Sequence, residues 1–492
     1  MVVPSFSDFK QMATQGNLIP LMEEIHFDWE TPISAFQKID DGMFSFLLES
    51  VEGGEKWGRY SFMGSSPLYL FRSKGEEFEI LNGKEILQKG KLKDPLRALE
   101  DFLKKFQPVG YEHLPRFFGG AVGYINYDAV KFFERIPDLL PEELDIYSCF
   151  FMITDSLLVF DNLKHRVKVI NNVFWDGHQS LKEAYQEAQE KIGRIVIKLR
   201  SLFPHSTREK PLPSSSLRSN LSREEFMKRV EKAKKYIRAG DIIQVVLSQR
   251  FSAEIECPPF DIYRALRSIN PSPYLFYLKI DDMVLLGASP EVMVRLEGRQ
   301  VELRPLAGTR PRGRTYEEDL ALEKDLLGDE KEKAEHIMLV DLGRNDVGRV
   351  AEIGTVKVTE LMGIERYSHV MHIYSNVTGS LADGKNAFDV LRAAFPAGTV
   401  SGAPKIRAME IIEELEPVQR GPYAGAVGYF GFSGNMDTCI TIRSVLIKNG
   451  KTYVQVGAGI VADSAPEKEY EETLKKAQAI FKAIRLAEEG LR

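Results

Sequence analysis

Cysteine is scarce: three occur in 492 residues, Cys149, Cys257 and Cys439. They are too far apart for a CxxC motif and too few for a disulfide framework, so a reducing, cytoplasmic setting is expected. Long hydrophobic runs are also missing. Nowhere do about 18 apolar residues follow one another, and the most apolar stretch, Cys149 to Phe160, is interrupted by Asp155, which predicts no membrane span. The opening MVVPSFSDFK lacks the basic segment and apolar run of a signal peptide. Positive charge is not in excess either. With Lys+Arg 65 against Asp+Glu 71 the net charge is -6, so no general attraction to nucleic acid or anionic lipid is expected, and an anionic substrate needs local cations.

Familiar catalytic signatures are absent as well. There is no GxxxxGK[ST] phosphate loop, no GxGxxG, no HExxH and no GxSxG; Ser401-Gly402-Ala403-Pro404-Lys405 has a lysine among small residues but not the phosphate-loop spacing. What the chain does have is ordinary globular composition, 43% hydrophobic and 28% charged, with enough length for two to four domains or one large one.

The clearest break in composition is FPHSTREKPLPSSSLRSN, rich in Pro, Ser and charge, which marks residues 204–220 as a linker between regions 1–203 and 221–492. A long polar helix is expected before it, at Gln179 to Leu202. After it, Ser222 and Glu225 form a capping box, and Phe226, Val230, Ala233 and Ile237 recur at helical spacing until Gly240. Two β-rich runs flank Asn449-Gly450, a strong hairpin turn, and a second hairpin is expected around Gly298. Helices are expected at Tyr316 to Asp341, Ala387 to Phe395, Ala403 to Leu415 and Pro466 to Glu489. Strands do not alternate with helices as βαβ units would, which predicts an α+β fold with antiparallel sheets. GAVGY occurs twice, at Gly120–Tyr124 and Gly425–Tyr429, and reads as related strands in the two halves.

The candidate chemistry is rich in carboxylates. On a helix through KEKAEHIMLVDL, Glu335 shares a face with Met338, Leu339 and Leu342, which is costly without a cation, a metal or an ion pair to a residue such as Arg344. Glu469 and Glu472 lie at i, i+3 on the polar face of the last helix and suit a hard ion such as Mg²⁺, or simply a solvated surface. His369 and His372 share a face if helical and oppose one another if extended. Glu291 follows a Ser-Pro turn in GASPEV and opens a strand, from which a general acid can face a cleft. PAGTVSGAPK (Pro396–Lys405) and VGAGIV (Val456–Val461) can present backbone N–H groups to an anion.

Taken together, LLES (Leu47–Ser50), WGRYSFMG (Trp57–Gly64), NPSPYLF (Asn270–Phe276), GASPE (Gly287–Glu291), RPLAGTRPRG (Arg304–Gly313), EHIMLVDLGRND (Glu335–Asp346), PAGTVSGAPK and GAGIVADSAPEKEYEET (Gly457–Thr473) resemble the chorismate-utilising enzymes, and within them the large subunits of the anthranilate-forming branch. The likeness runs over nearly the whole chain. It implies an α+β fold in which an antiparallel β-sandwich is surrounded by helices, with the catalytic site in the C-terminal region. It implies Mg²⁺ on Glu335 and Glu472, with Glu469 and Glu332 nearby. It implies Glu291, His372 and Thr399 as catalytic residues, with Glu291 protonating the departing hydroxyl of chorismate. Gln244, Ala307, Gly308, Thr309, Tyr423, Arg443, Gly457, Ala458, Gly459 and Lys476 would surround the substrate.

Two positions discriminate among relatives. Those that add water at ring C2 carry a lysine base where Gln244 stands, and the aminodeoxychorismate-forming ones commonly carry a lysine nucleophile where Ala307 stands; neither amine exists here, which favours direct attack by ammonia. No GxCxG nucleophile surrounds any cysteine, so ammonia is expected from a separate glutamine amidotransferase subunit in a hetero-oligomer. Ser50, Asn270, Pro271, Pro273 and Tyr274 match the family's tryptophan feedback site, with Leu275 where many relatives have Met. Aminodeoxychorismate synthesis, or tryptophan binding without catalysis on the same scaffold, are the alternative readings.

Overall fold

The computed structural model describes residues 1–26, 30–50, 59–201, 217–367 and 370–491. Trp57 and Gly58 of the WGRYSFMG motif, His369 and positions 204–216 of the expected linker lie outside them. Within the described residues two large sheets dominate, and every strand pairs antiparallel with its neighbour. The first runs in space from Leu18–His26 through Arg166–Phe174, Ser156–Asp161, Tyr60–Ser65 and Phe44–Glu49 to Tyr274–Ile280. It continues through Met283–Ser289, Ser444–Lys448, Lys451–Ile460 and Gln244–Glu254 to Arg218–Ser219. The second runs from Leu306–Pro311 through Val370–Ser380, Gln300–Leu303, Val292–Glu297, Met436–Ile440 and Ala426–Gly431 to Gly120–Ile125. It ends with Cys149–Thr154, Tyr69–Lys74, Glu77–Asn82 and Glu85–Lys91. Both sheets therefore contain strands from each side of residues 204–220.

Alternation puts one face of each sheet inward. Phe46, Phe62, Val159, Phe276, Leu278 and Leu285 of the first sheet pack against Leu70, Val122, Tyr124, Phe150, Met152, Val427 and Tyr429 of the second, which makes the α+β sandwich. Helices cover the outer faces: Leu181–Arg200, Pro259–Ile269 and Pro466–Glu488 lie on the first, and Leu96–Leu103 and Ala387–Ala394 on the second. No helix among the described residues is long and apolar enough to cross a membrane. All three cysteines are buried, and none forms a disulfide.

Local rules account for most boundaries. Ser180 and Ser222 cap their helices with full capping boxes, and Gly240 ends the second in the left-handed region at φ 82°. Asn449 and Gly450, at φ 52° and 73°, close the expected hairpin with Lys448 opposite Lys451. The Gly298 hairpin is present, with Glu297 opposite Gln300. Two expectations need correction. The helix expected at Tyr316 to Asp341 is two, Tyr316–Gly328 and Glu330–Gly348, because Asp329 leaves the helical region (ψ 105°) and its carboxylate accepts the N–H groups of Lys331 and Glu332. The end of the expected linker is not loose: Arg218 and Ser219 pair with Ser252 and Phe251, and Asn220 exchanges hydrogen bonds with Arg250.

The two GAVGY segments pair with each other, Gly123 opposite Gly428, and so join the halves in the second sheet. Each of these glycines lets a neighbouring strand pass close. A β-carbon on Gly123 would stand 1.8 Å from the Phe150 carbonyl oxygen, and one on Gly428 would stand 2.1 Å from that of Asp437. Gly123→Ala and Gly428→Ala are expected to lower unfolding free energy by about 2 kcal/mol or more through overpacking, read from urea midpoints. Gly193→Ala, in the helix Leu181–Arg200 with open space around it, is expected to raise stability by about 0.5–1 kcal/mol.

Candidate active site

The site is built on an unzipped sheet edge. Strand Lys451–Ile460 pairs with Ser444–Lys448 only as far as Tyr453 opposite Leu446, whereas on its other side it stays paired with Gln244–Glu254 up to Ile460 opposite Val245. One edge beyond Tyr453 is thus open. Lys476 Nζ donates to the Gly457 carbonyl (3.1 Å), so that carbonyl faces the open edge. In a strand the N–H of a residue points the same way as its C=O, and the direction repeats two residues on, so the N–H groups of Gly457 and Gly459 face this edge too. Side chains on these glycines would fill it: a β-carbon on Gly457 would lie 2.6 Å from the Tyr423 hydroxyl and one on Gly459 2.6 Å from Gln244 Nε2.

Cations and a phenol line the opening. Arg443, at φ 53° in the left-handed region, donates Nη1 to the Lys476 carbonyl (3.1 Å) while its own carbonyl accepts the Ala288 N–H. Burial lowers its pKa, and Tyr423 and Glu472 push it back up, which places all three together. Burial raises the Tyr423 phenol to about 12. Ala458, between the two glycines, is fully buried.

Glu291 immediately precedes strand Val292–Glu297. Burial pushes its carboxyl up to about 8, against the pull of the Thr399 hydroxyl and the Leu306 N–H, so the group holds a proton at neutral pH. Thr399 Oγ1, on the short turn Gly398–Ser401, is buried and reaches toward the Glu291 carboxyl without a hydrogen bond of full geometry, and Gln244 Oε1 is buried with no hydrogen-bond partner among the described residues. The Gln244 oxygen, near Glu335 and Gly459, and the Thr399 hydroxyl, near Glu291, both keep hydrogen-bonding capacity for a polar ligand. His372 lies on strand Val370–Ser380, not on a helix. Its Nδ1 is 3.1 Å from the Gly308 carbonyl and 3.0 Å from Thr309 Oγ1. A carbonyl only accepts, so Nδ1 carries the hydrogen and Nε2 keeps its lone pair. Burial lowers the pKa of this imidazole, which favours its neutral form. Gly308, at φ 75°, forms the bulge between Ala307 and Thr309 that allows this contact.

The four carboxylates stand as two like-charged pairs. Burial and then Glu335 raise the pKa of Glu332 on the helix Glu330–Gly348; burial, and more weakly Glu472, raise that of Glu469 on the helix Pro466–Glu488. The charge of Lys331 reaches Glu469, so the start of one helix lies near the start of the other. Cationic side chains hold them in part: Lys476 bridges to Glu472 (2.7 Å) and Arg310 lies 3.6 Å from Glu332. Glu335 accepts from Gln244 Nε2 (2.8 Å), and Arg344 pairs with Asp341 instead. Among the described residues no three acidic, His or Cys side chains converge on one point. The donor set is all oxygen, as a hard divalent ion requires.

A separate cavity of about 50 Å³ lies where the halves meet, lined by Ser50, Pro273, Tyr274, Leu275, Arg116, Arg295 and Asp437 among others. Tyr274 donates to Asp437 (2.8 Å), which Arg295 also engages at 3.1 Å. Asn270 and Pro271 do not line it; Asn270 Nδ2 reaches the Ala288 carbonyl instead, at 3.4 Å. Sequence reasoning missed the buried pairs Lys405–Asp346 (2.8 Å) and Arg420–Glu416 (2.6 Å) that brace the site from behind. The available signal was a cation in each of two segments, SGAPK and QRGPY, that otherwise lead into buried structure.

A family described as chorismate binding enzyme matches residues 46–482. Anthranilate synthase component 1 of Acetivibrio thermocellus is 50% identical over 99% of this chain and 100% of its own length, and that of Aquifex aeolicus is 50% identical over 99% and 98%. The crystal structure of anthranilate synthase component I from Streptococcus pneumoniae superposes with a TM-score of 0.78 at 37% identity, covering 93% of this chain and 98% of that one. The menaquinone-specific isochorismate synthase of Escherichia coli shares the fold, with a TM-score of 0.72 at 19% identity over 97% and 99%. By the extent of these matches the chain belongs to the chorismate binding enzyme family.

Proposed function

We propose that the chain is the large, chorismate-binding subunit of an anthranilate synthase, a cytoplasmic lyase in a hetero-oligomer whose glutamine amidotransferase partner supplies ammonia. Chorismate would be aminated at ring C2, lose its C4 hydroxyl and then eliminate pyruvate. The observation that carries the choice of product is that no amine stands at Gln244 or Ala307. The Gln244 amide is committed to Glu335 and cannot activate water, and Ala307 offers no nucleophile, so ammonia itself must attack.

The residues divide the work by position. Arg443, the Tyr423 hydroxyl and the N–H groups of Gly457 and Gly459 bind the enolpyruvyl carboxylate at the open edge. Glu291, protonated at neutral pH, gives its proton to the departing C4 hydroxyl, with the Thr399 hydroxyl beside it. His372 presents the Nε2 lone pair during elimination. A bound Mg²⁺, held by Glu335 and Glu472 with Glu332 and Glu469 alongside, would neutralise the paired carboxylates and polarise the ring carboxylate. L-Tryptophan, as feedback inhibitor, is assigned to the cavity lined by Ser50, Pro273 and Tyr274.

Purified protein given chorismate, Mg²⁺ and ammonium at alkaline pH is expected to form anthranilate, read by fluorescence and mass spectrometry, and EDTA is expected to abolish it. Aminodeoxychorismate as product would overturn the proposal. Glu291→Gln is expected to lower kcat by about 10²–10⁴-fold. It also tests the proton assignment, because a carboxyl raised from 4.5 to about 8 on folding gives stability that is full below pH 4.5 and lost as pH climbs through 8. Removing it should flatten that decline, so melting curves of variant and wild type should diverge in the variant's favour between pH 5 and 9. Ser50→Ala is expected to raise the tryptophan concentration for half-inhibition about tenfold, with kcat within about twofold of wild type.

A further inference from the structure

Behind the open edge, strand Gln244–Glu254 has a gap in its own pairing. On the side away from Lys451–Ile460 it is covered by Gly402–Ala403 at residues 244–245 and by Arg218–Ser219 at 251–252. Between them, backbone groups of Val246 and Ser248 face a helix end rather than a strand. Unpaired buried backbone is costly, so something must satisfy it. Two side chains do. Arg420 Nη2 donates to the Val246 carbonyl (2.7 Å), and Glu416 Oε1 accepts the Ser248 N–H (2.8 Å) and the Ser248 hydroxyl (2.8 Å). Arg420 and Glu416 bind each other through two further bonds, 2.6 and 2.9 Å, with side chains 0% and 2% exposed.

The same guanidinium reaches the substrate-facing parts of the cleft. Its Nη1 donates to the Val400 carbonyl (2.8 Å), the residue after Thr399. Its Cζ lies 5.6 Å from the centre of the Tyr423 ring and 4.5 Å from that of Tyr127, within cation–π range of both. Through the Ser248 hydroxyl, which accepts from Gln455 Nε2 (2.8 Å), the pair also touches the strand carrying Gly457 and Gly459. Arg420 itself is almost fully buried beneath these groups.

We propose that Arg420 is a positioning residue for the substrate: its planar fork fixes Thr399, Tyr423 and the Gln244 strand relative to one another, and so sets the affinity of the site for the enolpyruvyl carboxylate. Only a guanidinium does this. An ammonium could pair with Glu416 but, as a point charge on a flexible stem, could not hold two carbonyls in fixed directions and stack on two rings together. The inference rests on the chorismate reading of the site.

The test is Arg420→Lys in the full chain, with two readouts. The first is steady-state kinetics, where KM for chorismate is expected to rise about tenfold, with a smaller fall in kcat through Thr399 beside Glu291 and with KM for ammonium changing less than about threefold, because carboxylate binding is shared by ground and transition states. The second is the rise in melting temperature that chorismate produces, expected in wild type and lost at the same ligand concentration in the variant. A merely structural role would lower the variant's own melting temperature but leave KM and the chorismate-induced shift at wild-type values, and that result would overturn the proposal. Should Arg420→Lys not fold, Glu416→Gln, which keeps the shape and loosens the guanidinium, is read the same way, and wild-type values there would also overturn it. A wild type that is protected by chorismate but does not turn it over would refute the proposed function alone, and the comparison of thermal shifts would still decide the role of Arg420.

Discussion

Antiparallel pairing between the halves is the constraint on which everything else rests. Phe44–Glu49 pairs with Tyr274–Ile280 in one sheet and Gly120–Ile125 with Ala426–Gly431 in the other. These two seams make each sheet continuous across the molecule. The seams also fix the distance between the sheets, since Phe46, Phe276, Val122 and Val427 from all four seam strands fill the space between them. The central cavity lies against the same seam strands, with Ser50 just past the end of one and Tyr274 at the start of its partner. Tyr274 in turn stands opposite Ser289, whose hydroxyl contacts the Glu291 N–H at 3.4 Å. The cavity and the neutral acid are thus linked by a single residue pair.

Much of this is legible in the sequence because local rules and tertiary structure agree. Capping serines, the Asn449-Gly450 turn and the alternation of the strands each name their own element. The GAVGY repeat announced related strands but not that they pair with each other, since nothing local in a strand specifies a partner three hundred residues away. The break at Asp329 was hidden because an Asp inside a charged helical run and an Asp capping the next helix look alike until the backbone turns. For the site, the positions come from resemblance, but their states do not. That Glu291 is neutral follows from burial, and that His372 is extended and points Nδ1 at Gly308 follows from a bulge, neither of which a motif spells out. Arg420 and Lys405 escaped notice for a related reason: a charged residue reads as surface unless its buried partner is known.

The cleft handles charge by two opposite devices. Around Glu332, Glu335, Glu469 and Glu472, carboxylates are crowded against one another, so that positive charge is favoured there. On the acid side, a single carboxyl is isolated from cations and left neutral by burial alone. The open edge at Gly457 and Gly459 offers backbone N–H groups, which carry partial charge without the desolvation cost of another buried cation. Glycine is required there not for backbone freedom but for the absence of a side chain, since Tyr423 and Gln244 already occupy the space a β-carbon would take.

The seams have a consequence during synthesis. Phe44–Glu49 leaves the ribosome more than two hundred residues before Tyr274–Ile280, and Gly120–Ile125 about three hundred before Ala426–Gly431. At ~5–20 residues per second the N-terminal half must wait on the order of 10–60 s with two sheet edges and their apolar inner faces uncovered. Such edges recruit other strands, including those of a sister chain on the same message. The native arrangement therefore sets a vectorial problem: the N-terminal strands cannot complete either sheet until the C-terminal strands have been made.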